Sequence, residues 1–121
     1  MQTEPEIARL TVHVLDTALG QPAVGLPLSL FRIDDVARSQ LGAWRTNADG
    51  RCDTPLLSGT ALIPGAYEIV FDVGTWRAMA GSGAEGLYDL IPIRFRVTDP
   101  AKHYHIPLLL SPYAYSTYRG S

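Results

Sequence analysis

Short apolar runs broken by turn residues roughly every ten positions dominate this chain. Ile7 to Leu15 alternates apolar and polar residues as a strand does, and Gly20-Gln21-Pro22 turns it toward a second run, Leu26 to Ile33. A weaker third run, Leu41 to Thr46, is closed by Asn47-Ala48-Asp49-Gly50. That tetrapeptide reads as a hairpin connection in which Gly50 takes a positive φ, with a short fourth strand starting at Arg51. Pro64-Gly65 introduces Tyr67 to Val73. Thr75 to Ala80 is the one plausible helix, capped by Thr75 and stopped by Gly81 and Gly83. Leu90 to Val97, Tyr104 to Leu110 and Tyr113 to Tyr118 complete about eight strands, and many short strands between Gly and Pro turns imply an all-β sandwich.

Strand parity sorts the titratable groups. Leu10, Val12 and Val14 share one face of the first strand, so Thr11 and His13 point the other way. Tyr104, Ile106, Leu108 and Leu110 share a face of a later one, leaving His103 and His105 opposite. All three histidines therefore sit away from the sandwich core. Their face is not simply polar, since Leu15, Pro107 and Leu109 share it. A sheet apolar on both faces has something covering the second, and for a chain this small the expected cover is another copy. Parity thus predicts a symmetric oligomer with histidines near its interface.

Length and charge then narrow the class. The 121 residues fit one domain, residues 1–121, able to bury roughly 65% of the unfolded surface. A formal net charge of −2 offers no electrostatic footprint for nucleic acid or an anionic membrane. The single Cys52 cannot close an internal disulfide, which fits a reducing compartment. Met1 to Glu6 lacks the basic start and apolar stretch of a secretory signal, and no run approaches membrane-spanning length. A cytoplasmic protein is the expectation. No repeat, linker or low-complexity segment interrupts the pattern.

From His103 to Ser121 the chain packs two of its three histidines, a run of tyrosines and Arg119 against its end. Termini ordinarily fray and carry little information. Strand-forming and titratable residues continuing to the last serine predict that this end is held in a site.

Four separated stretches carry a resemblance: Val12-His13-Val14-Leu15-Asp16-Thr17-Ala18-Leu19-Gly20-Gln21-Pro22-Ala23, then Thr46-Asn47-Ala48-Asp49-Gly50-Arg51, then His103 to Ser111, then Tyr118-Arg119-Gly120-Ser121. In this order, from about residue 8 to the end, the chain resembles the transthyretin-like 5-hydroxyisourate hydrolases of urate breakdown. The final tetrapeptide separates those hydrolases from hormone carriers of the same fold. The resemblance implies a transthyretin-like (prealbumin-like) β-sandwich, assembled as a homotetramer, a dimer of dimers, with sites in a channel between subunits. It also implies a cofactor-free hydrolysis of 5-hydroxyisourate to 2-oxo-4-hydroxy-4-carboxy-5-ureidoimidazoline. The positions matching the family site are His13, Arg51, His105, Tyr118, Arg119, Gly120 and Ser121. One departure is the Gly-rich segment Gly81 to Asp89, where family members commonly carry an aromatic-proline segment.

Opening an acyl C–N bond needs a base for water and a donor for the forming oxyanion. Histidine, with an ordinary pKa of about 6.5, is mostly neutral yet basic at pH 7, and acid–base catalysis by a positioned group is typically worth about 10²–10⁴-fold. His13 and His105 together are expected to position and deprotonate the water; two close imidazoles titrate as a pair, so the sequence leaves open which takes the proton. Arg51 would bind the urate-like carbonyl oxygens and stabilise the oxyanion. Tyr118 and Ser121 would close the pocket, and activity would fall in mild acid.

Other patterns are weighed against bland readings. His103 and His105 could join His13 as a zinc site of three imidazoles, a spacing-only signal. Cys52 lacks any nucleophile signature, and Asp34-Asp35 reads as a solvated turn. The rival from another class is a non-catalytic binding module of the same fold that carries a small aromatic ligand, which would not need His13, His105 or the final tetrapeptide.

Overall fold

The computed structural model describes residues 7–80 and 85–121. Among these residues nine strands and one α-helix follow one another as β1 (Arg9–Asp16), β2 (Gln21–Pro22), β3 (Pro27–Ile33), β4 (Arg38–Arg45), β5 (Leu57–Ser58), β6 (Gly65–Asp72), α1 (Val73–Ala80), β7 (Leu90–Val97), β8 (Tyr104–Leu110) and β9 (Tyr115–Thr117). One sheet runs β2-β1-β8-β9, with β5 also on β1; the other runs β4-β3-β6-β7. All neighbours are antiparallel except β1 and β8, which lie parallel at the centre of the first sheet.

Period-two alternation builds the core. Leu10, Val12 and Val14 of β1 and Ile106, Leu108 and Leu110 of β8 face inward, against Leu28 and Leu30 of β3, Ile69 and Phe71 of β6 and Ile91 of β7. None of these is more than 6% exposed, and each fully buried side chain of this kind contributes about 1.5–3 kcal/mol. Thr11, His13 and Leu15 consequently turn outward, half-buried, as do His105 and Leu109.

Three local expectations are corrected. The third run begins at Arg38, earlier than Leu41, because pairing with β3 continues past a register shift at Leu41, the residue of β4 skipped between the pairs Leu30–Gly42 and Phe31–Gln40. No strand starts at Arg51. The Asn47–Gly50 turn does form, with Gly50 N–H donating to the Asn47 carbonyl at 2.9 Å and φ of 74° at Gly50, but the short strand after it is Leu57–Ser58, which pairs with β1 and not with β4. Finally, α1 starts at Val73, and Asp72 is its cap: the Asp72 carboxylate accepts from Thr75 N at 3.1 Å and from Thr75 Oγ1 at 2.8 Å. The stop expected at Gly81 and Gly83 lies outside the described residues.

One edge of β1 is shared among three segments, and this places Arg51. β5 pairs at Arg9 and Leu10, β2 at Leu15 and Asp16. Between them the Gly50 carbonyl accepts from Val14 N at 2.8 Å. Gly50 is required there twice over: its φ is left-handed, and a Cβ would strike the Val14 carbonyl oxygen. The turn thereby delivers Arg51 beside the outward face of β1.

Candidate active site

The parallel register of β1 and β8 sets Thr11 opposite His105 and His13 opposite Pro107. The two imidazoles stand 6.5 Å apart between ring centroids, tilted by 35°. His105 is held on two sides. Its Nδ1 is 2.8 Å from Thr11 Oγ1, and its Cδ2 edge lies against Gly120, where any Cβ would collide with the ring. Gly120 N–H donates to the His105 carbonyl at 2.8 Å, which ties the end of the chain alongside β8.

Burial and nearby charge push both imidazoles below the ordinary histidine pKa. Burial lowers the pKa of His13 and the Arg51 charge lowers it further, against an opposing hydrogen bond to the Asp49 backbone and the Asp49 charge. Burial, Arg51 and His13 all lower His105. Arg51 therefore acts on both rings at once. Its backbone N–H reaches Asn47 Oδ1 at 3.1 Å, and its guanidinium has no ion-pair partner among the described residues.

A cavity of about 430 Å3 opens at this place, lined by Arg9, Thr11, Arg51, His103, His105 and Ser121. Arg51, His105 and Ser121 are thus brought to one cavity, with His13 next to His105. Gly120 packs on the ring behind it. Tyr118 is 58% exposed and outside that lining, and Arg119 turns away to donate to the His103 carbonyl at 3.0 Å while stacking 4.6 Å from the Tyr104 ring. His103, whose role the sequence leaves open, lines the cavity, with Nδ1 accepting from Arg9 N at 3.1 Å. Arg9 and Thr11 are the lining residues that sequence reasoning missed. Thr11 carried a usable signal, since it shares the outward face of β1 with His13.

Another cavity of about 410 Å3, mostly apolar, lies where the turn after β1 meets Trp76. None of the imidazoles and neither Arg51 nor Ser121 lines it; Arg51, His105 and Ser121 line the cavity beside His105 instead. Among the described residues no three His, Cys, Asp or Glu side chains are grouped to hold a metal ion. Cys52, half-buried next to Arg51, has its thiol pushed up to about 11 by burial and then by the Asp53 charge, which keeps it protonated and a poor nucleophile.

The arrangement sets the His105 imidazole and the Arg51 guanidinium on the cavity wall, with the His13 imidazole beside His105 but outside that lining. Comparisons with known proteins agree in pointing to one family. The model of the HIUase/Transthyretin family matches residues 10–120. A 5-hydroxyisourate hydrolase 2 of Rhizobium meliloti is 50% identical over 115 residues, covering 93% of this chain and 96% of that protein. The 5-hydroxyisourate hydrolase of Mesorhizobium japonicum is 52% identical over 117 residues, covering 93% and 92%. Among solved structures, the 5-hydroxyisourate hydrolase of Klebsiella pneumoniae superposes with a TM-score of 0.80 at 34% identity, covering 94% of this chain and 99% of that one. An (S)-allantoin synthase superposes with a TM-score of 0.88 at 41% identity over 95% of this chain, which spans only 44% of that longer protein.

Proposed function

The chain belongs to the HIUase/Transthyretin family, and on that premise we propose how its paired imidazoles and guanidinium work. The protein hydrolyses 5-hydroxyisourate. Water held by His13 and His105 attacks the ring carbonyl of the scissile acyl C–N bond as an imidazole takes its proton. The carbonyl oxygen becomes an oxyanion that Arg51 stabilises; a well-placed donor of this kind is worth about 10²–10³-fold. Collapse breaks the C–N bond, and the imidazolium returns its proton to the leaving nitrogen, yielding 2-oxo-4-hydroxy-4-carboxy-5-ureidoimidazoline. Ser121 contributes hydrogen bonds at the cavity wall, with Tyr118, Arg119 and Gly120 completing the substrate-binding end.

The observation that carries this reading is Arg51, without an ion-pair partner among the described residues, beside two imidazoles whose pKa values it helps to depress. A guanidinium in such a place is available to substrate oxygens and keeps the base unprotonated. The reading extends to the whole chain, 1–121, as one transthyretin-like domain acting in the cytoplasm without a cofactor. It also includes a homotetramer, a dimer of dimers. That assembly is supported by the half-buried Leu15 and Leu109 on the outward face beside the site and by β7 and β9, each at the edge of its sheet.

The test generates 5-hydroxyisourate with urate oxidase and follows its ultraviolet decay. The protein should accelerate the decay well beyond the spontaneous rate, and His105→Asn should remove most of the acceleration, about 10²-fold or more. Decay at the spontaneous rate with the wild-type protein, or a His105→Asn variant as fast as wild type, ends this assignment of roles.

A further inference from the structure

Thr11 stands where the central parallel pair of strands brings a hydroxyl against the ring of His105. The register that pairs Thr11 with His105 puts both side chains on one face, and Oγ1 lies 2.8 Å from Nδ1. Each remaining edge of the imidazole is then accounted for. Cδ2 packs on Gly120, so the edge carrying Nε2 is the one left to the cavity that His105 lines. Turning the ring by 180° about its last side-chain bond would exchange Nδ1 and Cδ2, set a C–H against the Thr11 hydroxyl and bury Nδ1 on the Gly120 backbone. That exchange loses the hydrogen bond and gains none.

We propose that Thr11 is a positioning residue for the hydrolysis: its hydroxyl holds Nδ1 of His105, so that Nε2 faces the cavity as the atom that takes the proton from water. The proposal rests on the reading of His105 given above. In the resting state Nδ1–H donates to Oγ1 and Nε2 carries the lone pair. When water attacks, its proton moves to Nε2 and the hydroxide oxygen bonds to the carbonyl carbon. The imidazolium then has Nδ1–H already satisfied by Oγ1, and Nε2–H supplies the proton to the departing nitrogen. A hydroxyl suits this task because it accepts from Nδ1–H in both protonation states, and threonine suits it because a β-branched side chain in a strand keeps few rotamers.

Two substitutions separate positioning from packing. Thr11→Val keeps the branched shape and removes the hydroxyl, whereas Thr11→Ser keeps the hydroxyl and removes the methyl. Positioning predicts that Thr11→Val lowers kcat about tenfold, the scale of one net hydrogen bond, with KM changed less than about threefold, while Thr11→Ser restores most of the rate. The acid limb of the pH–rate profile should also move to lower pH in Thr11→Val, because the imidazolium loses the acceptor for Nδ1–H. Long-range 1H–15N spectra of the wild-type protein should show His105 protonated at Nδ1 and free at Nε2, with that preference weakened in Thr11→Val. A rate in Thr11→Val within twofold of wild type, a serine variant slower than the valine variant, or a wild-type His105 protonated at Nε2 overturns the proposal. Measured beside His105→Asn, these results stay distinct: an inactive His105→Asn with an unimpaired Thr11→Val condemns only the role of Thr11, while an active His105→Asn removes the premise as well.

Discussion

On the outer face of the sheet β4-β3-β6-β7, Glu68 holds its carboxylate between Arg38 and Arg94, at 2.9 and 3.1 Å; on the outer face of the other sheet, His13, His105 and Arg51 gather with no such ion pair among the described residues. Both places bring arginine and a titratable side chain together across neighbouring strands, and their chemistry differs because of what closes each one. Around Glu68 every partner is supplied. Arg38 donates Nε and Nη2 to Oε1 while lying 3.6 Å from the centre of the Phe31 ring, and Arg94 donates the same two groups to Oε2. Burial would raise the Glu68 pKa, but the hydrogen bonds and charges of the two arginines outweigh it and hold the carboxyl below its ordinary value. Around His105 the cations act on bases instead, and the Arg51 charge depresses both imidazoles. A satisfied cluster contributes to stability, and an unsatisfied one is kept for a ligand.

Removing Arg51 should break the comparison most visibly. Arg51→Met keeps a long apolar stem and deletes the guanidinium, so kcat/KM for 5-hydroxyisourate should fall about 10²–10³-fold. The melting temperature should stay within about 2 °C, since no ion pair is lost. A variant with wild-type kcat/KM and a markedly lower melting temperature would make Arg51 a second Glu68-type contact, a structural charge after all.

The opposite outcome is expected from Glu68→Gln. One arginine keeps a carbonyl acceptor while the other faces an amide that can only donate, and both cations lose their counter-charge. Arg38 and Arg94 remain 48% and 61% exposed, so water offsets much of the loss, and a cost of about 1–2 kcal/mol is expected, several degrees of melting temperature. Catalytic constants should not move. Unchanged melting behaviour would mean that the exposed arginines are solvated as well without the carboxylate as with it.

The difference between these two places is only partly legible in the sequence. Alternation along Leu10, Val12 and Val14 and along Ile106, Leu108 and Leu110 is a local signal, so the outward placement of His13 and His105 follows from it directly. Pairing partners are not local. Nothing in the run Arg9 to Asp16 states that β8 lies parallel beside it, and without that register the 2.8 Å approach of Thr11 to His105 is invisible. Arg51 comes to the site through the bond from Val14 N to the Gly50 carbonyl; the positive φ at Gly50 could be anticipated, the strand edge it docks on could not. The helix start illustrates a competition between neighbours: Thr75 and Asp72 are both good capping residues, and α1 begins early enough for Asp72 to accept from Thr75. At the end of the chain, the motif foretells that the tail is anchored, and Gly120 is. It does not foretell that Arg119 stacks on Tyr104.

Acid should separate the two faces by the pH at which each responds, with the smallest free-energy change of these tests. His13 and His105 have pKa values lowered from 6.5 in the folded protein. Between the folded and unfolded values the unfolded chain binds the extra protons, so stability is greatest above about pH 6.5 and falls as pH drops through that window, levelling off below the folded pKa values. Glu68 is also lowered, from 4.5, so its contribution is complete above that value and disappears only as pH falls below it toward the folded pKa. A plot of melting temperature against pH should therefore show an early decline that His105→Asn makes shallower and a later one that Glu68→Gln makes shallower. The same depression predicts that the midpoint of the acid decline in kcat/KM lies below 6.5, since the imidazoles must be neutral to accept a proton. An activity midpoint above 6.5, or an early decline in stability that His105→Asn leaves untouched, would show that Arg51 does not govern the protonation of the paired rings, and the contrast with Glu68 would then be one of shape alone.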